Sequence, residues 1–326
     1  MASPTKEILT DLSPILKHYT DGTVERMFVS PYIPPSPEDP NTGVSSKDIF
    51  SFPPDVSARI YLPKLTPESS VQKLPILVYF HGGGFCVGSA FSSLDHPYLN
   101  LLAAEAKALV ITVEYRLAPE HPLPAAYEDS WNGLKWVCAH NTEETTPFDK
   151  EEWIVNHGDF TKLFVGGDSA GGNIAHYVAM RAGTEDLPEK SKILGALLSH
   201  PFFWGSTPVG NEPKENIEES LIYRIWVFVW PDADNGIDNP LINPIGDGGP
   251  SLSSLGCSRI MVCVAEKDVL TARAIAYAEK VKKSGWKGEV VEVVEIEGAD
   301  HCFQVFDLQS DKAKDLIGRM ASFISL

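Results

Sequence analysis

The 326-residue sequence contains no run of eighteen or so apolar residues, the length that a helical membrane span requires. Its nearest approach, Leu221 to Trp230, is too short and carries Arg224. Basic side chains are scarce as well: 27 Lys and Arg stand against 44 Asp and Glu, a net charge of −17. A surface of that sign repels phosphate backbones and anionic lipid, so neither nucleic acid nor membrane is an expected partner. The five cysteines, Cys86, Cys138, Cys257, Cys263 and Cys302, are odd in number and contain no C-x-x-C pair. Neither a zinc ribbon nor a disulfide scaffold is suggested. The first residues, Met1 to Glu7, lead into acidic and proline-interrupted sequence rather than a signal-peptide-like apolar run, so a cytoplasmic chain with reduced thiols is expected. Cys302 adjoins His301, but a small buried apolar residue is the expected role there rather than a nucleophile.

What is present reads as a globular α/β chain. At 43% hydrophobic and 22% charged, the composition excludes intrinsic disorder, coiled coil and collagen-like repeats. Eight β-rich runs are predicted: Thr23 to Val29, Ser57 to Leu62, Ile76 to His81, Leu109 to Tyr115, Thr161 to Val165, Ile193 to Ser199, Arg259 to Val264 and Glu289 to Ile296. The middle ones are almost continuously apolar, as strands covered by helices on both faces must be. Ser57 to Leu62 alternates instead and fits a position near a sheet edge. Helical spacing over Leu99 to Lys107, Ala125 to Ala139, Asn173 to Arg181, Thr271 to Lys283 and Lys312 to Ile324 fills the gaps, so a mostly parallel sheet follows.

Two regions break the alternation. Residues 1–45 hold the proline-rich stretch Pro31 to Pro40, which cannot continue a ladder. Residues 202–250 separate the sixth and seventh predicted strands and are rich in aromatics, among them Phe202, Phe203, Trp204, Tyr223, Trp226, Phe228 and Trp230. An excursion of that length suggests a lid over a site, with a second piece of core as the alternative.

The chemistry is concentrated in a few places. Gly167-Asp168-Ser169-Ala170-Gly171 is a G-x-S-x-G pattern, weak alone but here set directly between a strand and a helix. Such a turn forces its central residue into strained dihedrals and sets Ser169 exposed at the carboxyl edge of the sheet, beside a helix N-terminus that favours developing negative charge. A serine hydroxyl needs a base, and the base needs a carboxylate to fix its tautomer. Asp268 follows the seventh strand and His301 the eighth, the chain order of nucleophile, acid and base that this architecture demands. Glu266, still at its strand terminus, and Asp300, beside the base, are poorer candidates for the acid. His18, His96, His121, His140 and His157 read as solvated or capping residues and His176 as structural. His200 is a possible pocket residue that comes too early in the chain to be the base. His81-Gly82-Gly83-Gly84-Phe85, after the third strand, exposes bare N–H groups: Gly83 and Gly84, with Ala170, can form an oxyanion hole, and His81 can brace that loop. A nucleotide loop is the competing reading, but neither G-x-G-x-x-G nor Gly-Lys-Ser/Thr is present.

Together with Tyr115-Arg116-Leu117-Ala118-Pro119-Glu120 and the continuation Gly172-Asn173, these motifs resemble the hormone-sensitive-lipase-type α/β-hydrolases, and among them the plant carboxylesterase family. The resemblance spans nearly the whole chain. It implies an α/β-hydrolase fold with a central eight-stranded sheet, one domain over 1–326, an N-terminal cap segment at 1–45 and a lid insert at 202–250. It also implies cofactor-free hydrolysis of a small-molecule carboxylic ester by Ser169, His301 and Asp268. Relatives in that family include 2-hydroxyisoflavanone dehydratases, alkaloid cyclases and the gibberellin receptor, so a dehydratase or cyclase, or a non-catalytic receptor, are the alternatives. In such relatives the oxyanion glycines, the nucleophile or the histidine are often altered, whereas here all are intact. Tyr223, Trp226 and Arg224 are candidates for contact with the substrate. The sequence says nothing of oligomeric state.

Overall fold

Continuous apolar runs dictate the middle of the molecule. The computed structural model describes residues 6–52, 56–65, 72–142 and 150–325; residues 1–5 of the expected cap segment lie outside them. After a small antiparallel sheet of β1 (Ile8–Leu12), β2 (Leu16–Tyr19) and β3 (Val24–Arg26), the chain builds an eight-stranded sheet. Its strands are β4 (Ser45–Phe52), β5 (Val56–Leu62), β6 (Leu74–Phe80), β7 (Leu109–Glu114), β8 (Gly158–Asp168), β9 (Ile193–Ser199), β10 (Cys257–Ala265) and β11 (Val290–Ile296), in the order β11-β10-β9-β8-β6-β7-β5-β4. Pairing is parallel from β11 through β7 and antiparallel where β5 joins β7 and β4 joins β5. Every residue of β6 is buried, the consequence of helices on both faces.

The helices are α1 (Asp95–Ala106), α2 (Ala125–Cys138), α3 (Glu152–His157), α4 (Ala170–Arg181), α5 (Leu221–Val229), α6 (Thr271–Lys283), α7 (Phe303–Phe306) and α8 (Asp311–Ile324). α1 and α8 cover one face, where Leu99 and Leu102 meet Tyr79, Leu316 and Met320. α2, α4 and α6 cover the other through Trp131, Ile174, Val178 and Tyr277. None of the described helices is long and apolar enough to cross a membrane.

Two sequence expectations change. Thr23 to Val29 yields only β3, in the small sheet, and the eighth strand of the main sheet is β4, a polar edge strand. The proline-rich stretch makes a single isolated bridge, Tyr32 to Ser92, as prolines without a donor require. Helix α1 also begins earlier than Leu99, because Pro97 falls in its first turn, where no N–H is needed.

The topology fixes where a site can form. From β6 the chain passes through α1 to β7 on one side, then returns to place β8 on the other side of β6. The connections leaving β6 and β8 therefore diverge, opening a crevice at the carboxyl ends of those two strands. The glycine loop follows β6 and Ser169 follows β8, so both sit at that switch point.

Candidate active site

Ser169 is the one residue between β8 and α4. Its φ of 54° and ψ of −115° are unfavourable for a side-chain-bearing residue, a strain on the order of 1–3 kcal/mol. Three backbone bonds hold it there: its N–H donates to Ser199 O at 2.9 Å, and its carbonyl accepts from Asn173 at 3.0 Å and Phe202 at 2.9 Å. The flanking glycines are dictated by contact. A Cβ on Gly167 would stand 2.4 Å from the backbone of Gly171, and one on Gly171 would stand 1.8 Å from the carbonyl oxygen of Phe80.

Parallel pairing of β10 with β11 brings the loops after those strands to the same edge. His301 Nδ1 lies 2.6 Å from Asp268 Oδ2, and His301 Nε2 lies 2.9 Å from Ser169 Oγ. A carboxylate only accepts, so Nδ1 carries the hydrogen toward Asp268 and Nε2 is left as the acceptor facing the serine hydroxyl. Burial pushes the Asp268 carboxyl up, but the His301 hydrogen bond and charge and the Leu270 amide outweigh it and hold the group below the usual range. Asp268 is thus a buried, ionised anchor, while the His301 side chain remains 38% exposed. Glu266 is turned to the Gly298 amide, and Asp300 is exposed.

Gly83 and Gly84 adopt φ values of 113° and 58°, and a Cβ on Gly83 would come 2.1 Å from Val87 O. Cys86 and Val87 donate to the Gly83 carbonyl at 3.1 and 3.0 Å, which fixes the loop. Among the described residues, none accepts a hydrogen bond from the N–H of Gly83, Gly84 or Ala170. His81 braces this loop from below. Its ring stacks on Tyr115 at 4.1 Å, Tyr115 Oη donates to His81 O at 2.7 Å, and burial pushes the imidazole down to about 4. Cys302 is buried with its thiol pushed well up by desolvation, as an apolar filler would be.

These groups open onto a cavity of about 340 Å³. Ile15 and Phe28 reach it from the N-terminal segment, Ile222 and Ile225 from α5, and Val305 and Phe306 from α7. No Lys or Arg is among its described lining residues, and no described group of three or more His, Cys, Asp or Glu is arranged to hold a metal ion.

Several expectations need correction. Ser169 is only 7% exposed: it faces the cavity rather than open solvent. Trp226 is fully buried, donating Nε1–H to Gly236 O at 2.9 Å, and Tyr223 lies outside the lining. The helical period explains both, since α5 turns Leu221, Ile222 and Ile225 to the cavity and so points Trp226 into the core. Arg224 donates to the carbonyl of Asp11 instead of lining the pocket. His200 is buried behind His301, with ring centroids 5.7 Å apart, and does not line the cavity either. His96 and His140 are buried rather than solvated: His96 sits between Arg59 and Asn100, and His140 accepts from the Glu151 amide. The sequence reading also passed over Asp95, a cavity residue that looks in sequence like an ordinary acidic residue in the first turn of a helix.

A sequence profile described as alpha/beta hydrolase fold matches residues 77–305. A 2-hydroxyisoflavanone dehydratase of Glycyrrhiza echinata is 54% identical over 99% of this chain and 100% of its own length. Probable carboxylesterase 13 of Arabidopsis thaliana is 42% identical over 98% of each chain. Among solved structures, the hyperthermophilic esterase of Pyrobaculum calidifontis superposes with a TM-score of 0.66 at 28% identity, covering 86% of this chain and 85% of that one.

Proposed function

The chain belongs to the alpha/beta-hydrolase fold family, and within it to the plant carboxylesterases, and from that premise we propose that it is a serine carboxylesterase acting on a small apolar carboxylic ester. The observation that carries the reading is the continuous bonding Ser169–His301–Asp268, at 2.9 and 2.6 Å, on the wall of an apolar cavity. His301 Nε2 takes the proton as Ser169 Oγ attacks the ester carbonyl, and Asp268 stabilises the imidazolium that results. The N–H groups of Gly83, Gly84 and Ala170 receive the oxyanion. Losing one such donor raises a barrier by about 3–4 kcal/mol, so the glycine loop is as consequential as the base. His301 then returns its proton to the leaving alcohol, and water repeats the cycle to release the acid. Residues 1–45 and 202–250 act as cap and lid in this reading, since Ile15 and Phe28 of the first and Ile222 and Ile225 of the second all line the cavity. The five free, buried cysteines fit a reducing compartment, the cytoplasm.

Ser169→Ala is expected to abolish turnover of a short-chain p-nitrophenyl ester, and a fluorophosphonate probe to label the native protein stoichiometrically at Ser169. Retained turnover in the variant would refute the mechanism; an unlabelled native protein would favour a receptor. One observation favours a second reading, the 54% identity to a protein named as a dehydratase. In that reaction His301 removes a proton beside a carbonyl, the oxyanion hole steadies the enolate, and the β-hydroxyl departs as water by taking that proton from His301 as the enolate collapses to the double bond. Loss of ester turnover in Ser169→Ala together with retained dehydration of a 2-hydroxyisoflavanone would select it.

A further inference from the structure

The cavity wall carries a carboxyl group that ester hydrolysis does not use. Asp95, the first residue of α1, is 5% exposed and lines the same cavity as Ser169 and His301. Ser92 Oγ donates to its Oδ2 at 2.5 Å. No described residue donates to its Oδ1. Asp95 is thus a nine-tenths-buried carboxyl group on the cavity wall with one oxygen engaged by Ser92 and the other without a partner among the described residues.

A carboxyl group in this position is expensive to leave unpaired. The nearby acids make it more so. Burial and the charges of Asp168 and Glu114 push Asp95 up to about 7, while Ser92 works in the opposite direction. Asp168 is itself committed to Tyr79, whose Oη donates to its Oδ1 at 2.8 Å, and Glu114 accepts from the Ala90 amide and Ser89 Oγ. Arg59, the buried cation of that region, is held by Asp48. No described side chain is left to pair with Asp95 Oδ1, so its partner is water or a group that arrives with the ligand.

We propose that Asp95 is a specificity-determining residue that binds a hydroxyl group of the substrate, so that the preferred esters are apolar molecules bearing an alcohol or phenol at the α1 side of the cavity. The proposal rests on the esterase reading for the word substrate but not for the binding itself. A hydroxyl suits the site better than an ammonium group. It donates to the carboxylate and accepts from the carboxylic acid, so it pairs with Asp95 in either state near neutrality. An ammonium would bring a second desolvated charge into a wall built mainly of Ile, Leu, Val and Phe. A site made to pair a hydroxyl also rejects the analogue lacking it, because the carboxyl is then left dry and alone.

The test compares 1-naphthyl acetate with its regioisomeric monohydroxy derivatives. Binding is measured by calorimetry on Ser169→Ala protein, where no turnover is needed, with Asp95 native or replaced by Asn or Leu; kcat and KM are measured with Ser169 intact. At least one hydroxy isomer is expected to bind about tenfold or more tightly than the parent. The preference should vanish in Asp95→Leu, shrink in Asp95→Asn and appear in KM rather than kcat. Should the Leu variant not fold, the nearly isosteric Asn variant decides. Equal affinity for every isomer, a preference that survives in Asp95→Leu, or tighter binding of the corresponding aminomethyl compounds would each overturn the proposal. Asp95-dependent binding without ester turnover would uphold it while refuting the esterase reading.

Discussion

Histidine burial gives this protein a stability that depends on pH residue by residue. Desolvation pushes His176 and His200 down to about 3 and His81 and His96 down to about 4. In the unfolded chain each protonates near 6.5, so between about pH 6.5 and the folded value the unfolded state binds a proton that the native state refuses. Stability from each group is therefore present above 6.5 and is lost as the pH falls. His176 isolates the effect, because it lies away from the Ser169 turn, with Nδ1 3.0 Å from Tyr277 Oη and its ring edge-on to Phe203. In His176→Gln, which keeps a polar atom for Tyr277, denaturant unfolding between pH 6 and 4 should depend less steeply on pH than in the native protein, by up to about 1.4 kcal/mol per pH unit. Asp95 contributes with the opposite sign, since its raised value favours the native state as pH falls, but it does so equally in both proteins and cancels from the difference. Parallel pH profiles would show that His176 is not the desolvated group its surroundings imply.

At the scale of elements, glycines in helices separate into those that a contact demands and those that nothing demands. Gly171 lies in the first turn of α4, where the helix is driven against the end of β6 so that Ser169 stands at the switch point. Gly318 lies in the middle of α8, and a Cβ there would meet nothing within 4 Å. Gly171→Ala must push α4 away from the Phe80 carbonyl and is expected to remove esterase activity by misplacing Ser169 and the Ala170 amide together. Gly318→Ala relieves the entropy cost of glycine in a helix and should raise stability by about 0.5–1 kcal/mol without touching activity. Circular dichroism melts and p-nitrophenyl ester turnover on the two variants check both halves; an active Gly171→Ala enzyme would break the link between this packing and the site.

For the molecule as a whole, what the sequence discloses follows from what each segment buries. Strands β6, β7 and β9 are legible because they are covered by helices and so read as apolar runs, and β5 is legible from its alternation. β4 is not, since Ser45 to Asp48 is polar edge sequence that becomes a strand only through its ladder to β5 and the buried pairing of Asp48 with Arg59, at 2.6 Å. Ser169, Asp268 and His301 are legible from chain order. The cavity-facing side of α5 is not, because Leu221–Val229 is apolar nearly all round and no stripe distinguishes pocket from core. The contact that anchors the 202–250 chain is equally hidden, being long-range. Arg273 of α6 is 1% exposed and forks onto Glu212, with Nη2–Oε2 at 2.7 Å and Nε–Oε1 at 2.9 Å, while Nη1 reaches Asn243 and Nη2 the Thr207 carbonyl. Replacing Arg273 by Met leaves the Glu212 carboxylate buried without its counter-charge, a loss of about 3–5 kcal/mol expected in denaturant unfolding. The double variant Arg273→Met, Glu212→Leu removes both charges and should recover most of that loss, because a buried ion pair adds little over an apolar pair of similar volume. A single variant within about 1 kcal/mol of the native protein, or a double variant as unstable as the single, would mean that the 202–250 chain is held by its aromatic packing rather than by this ion pair.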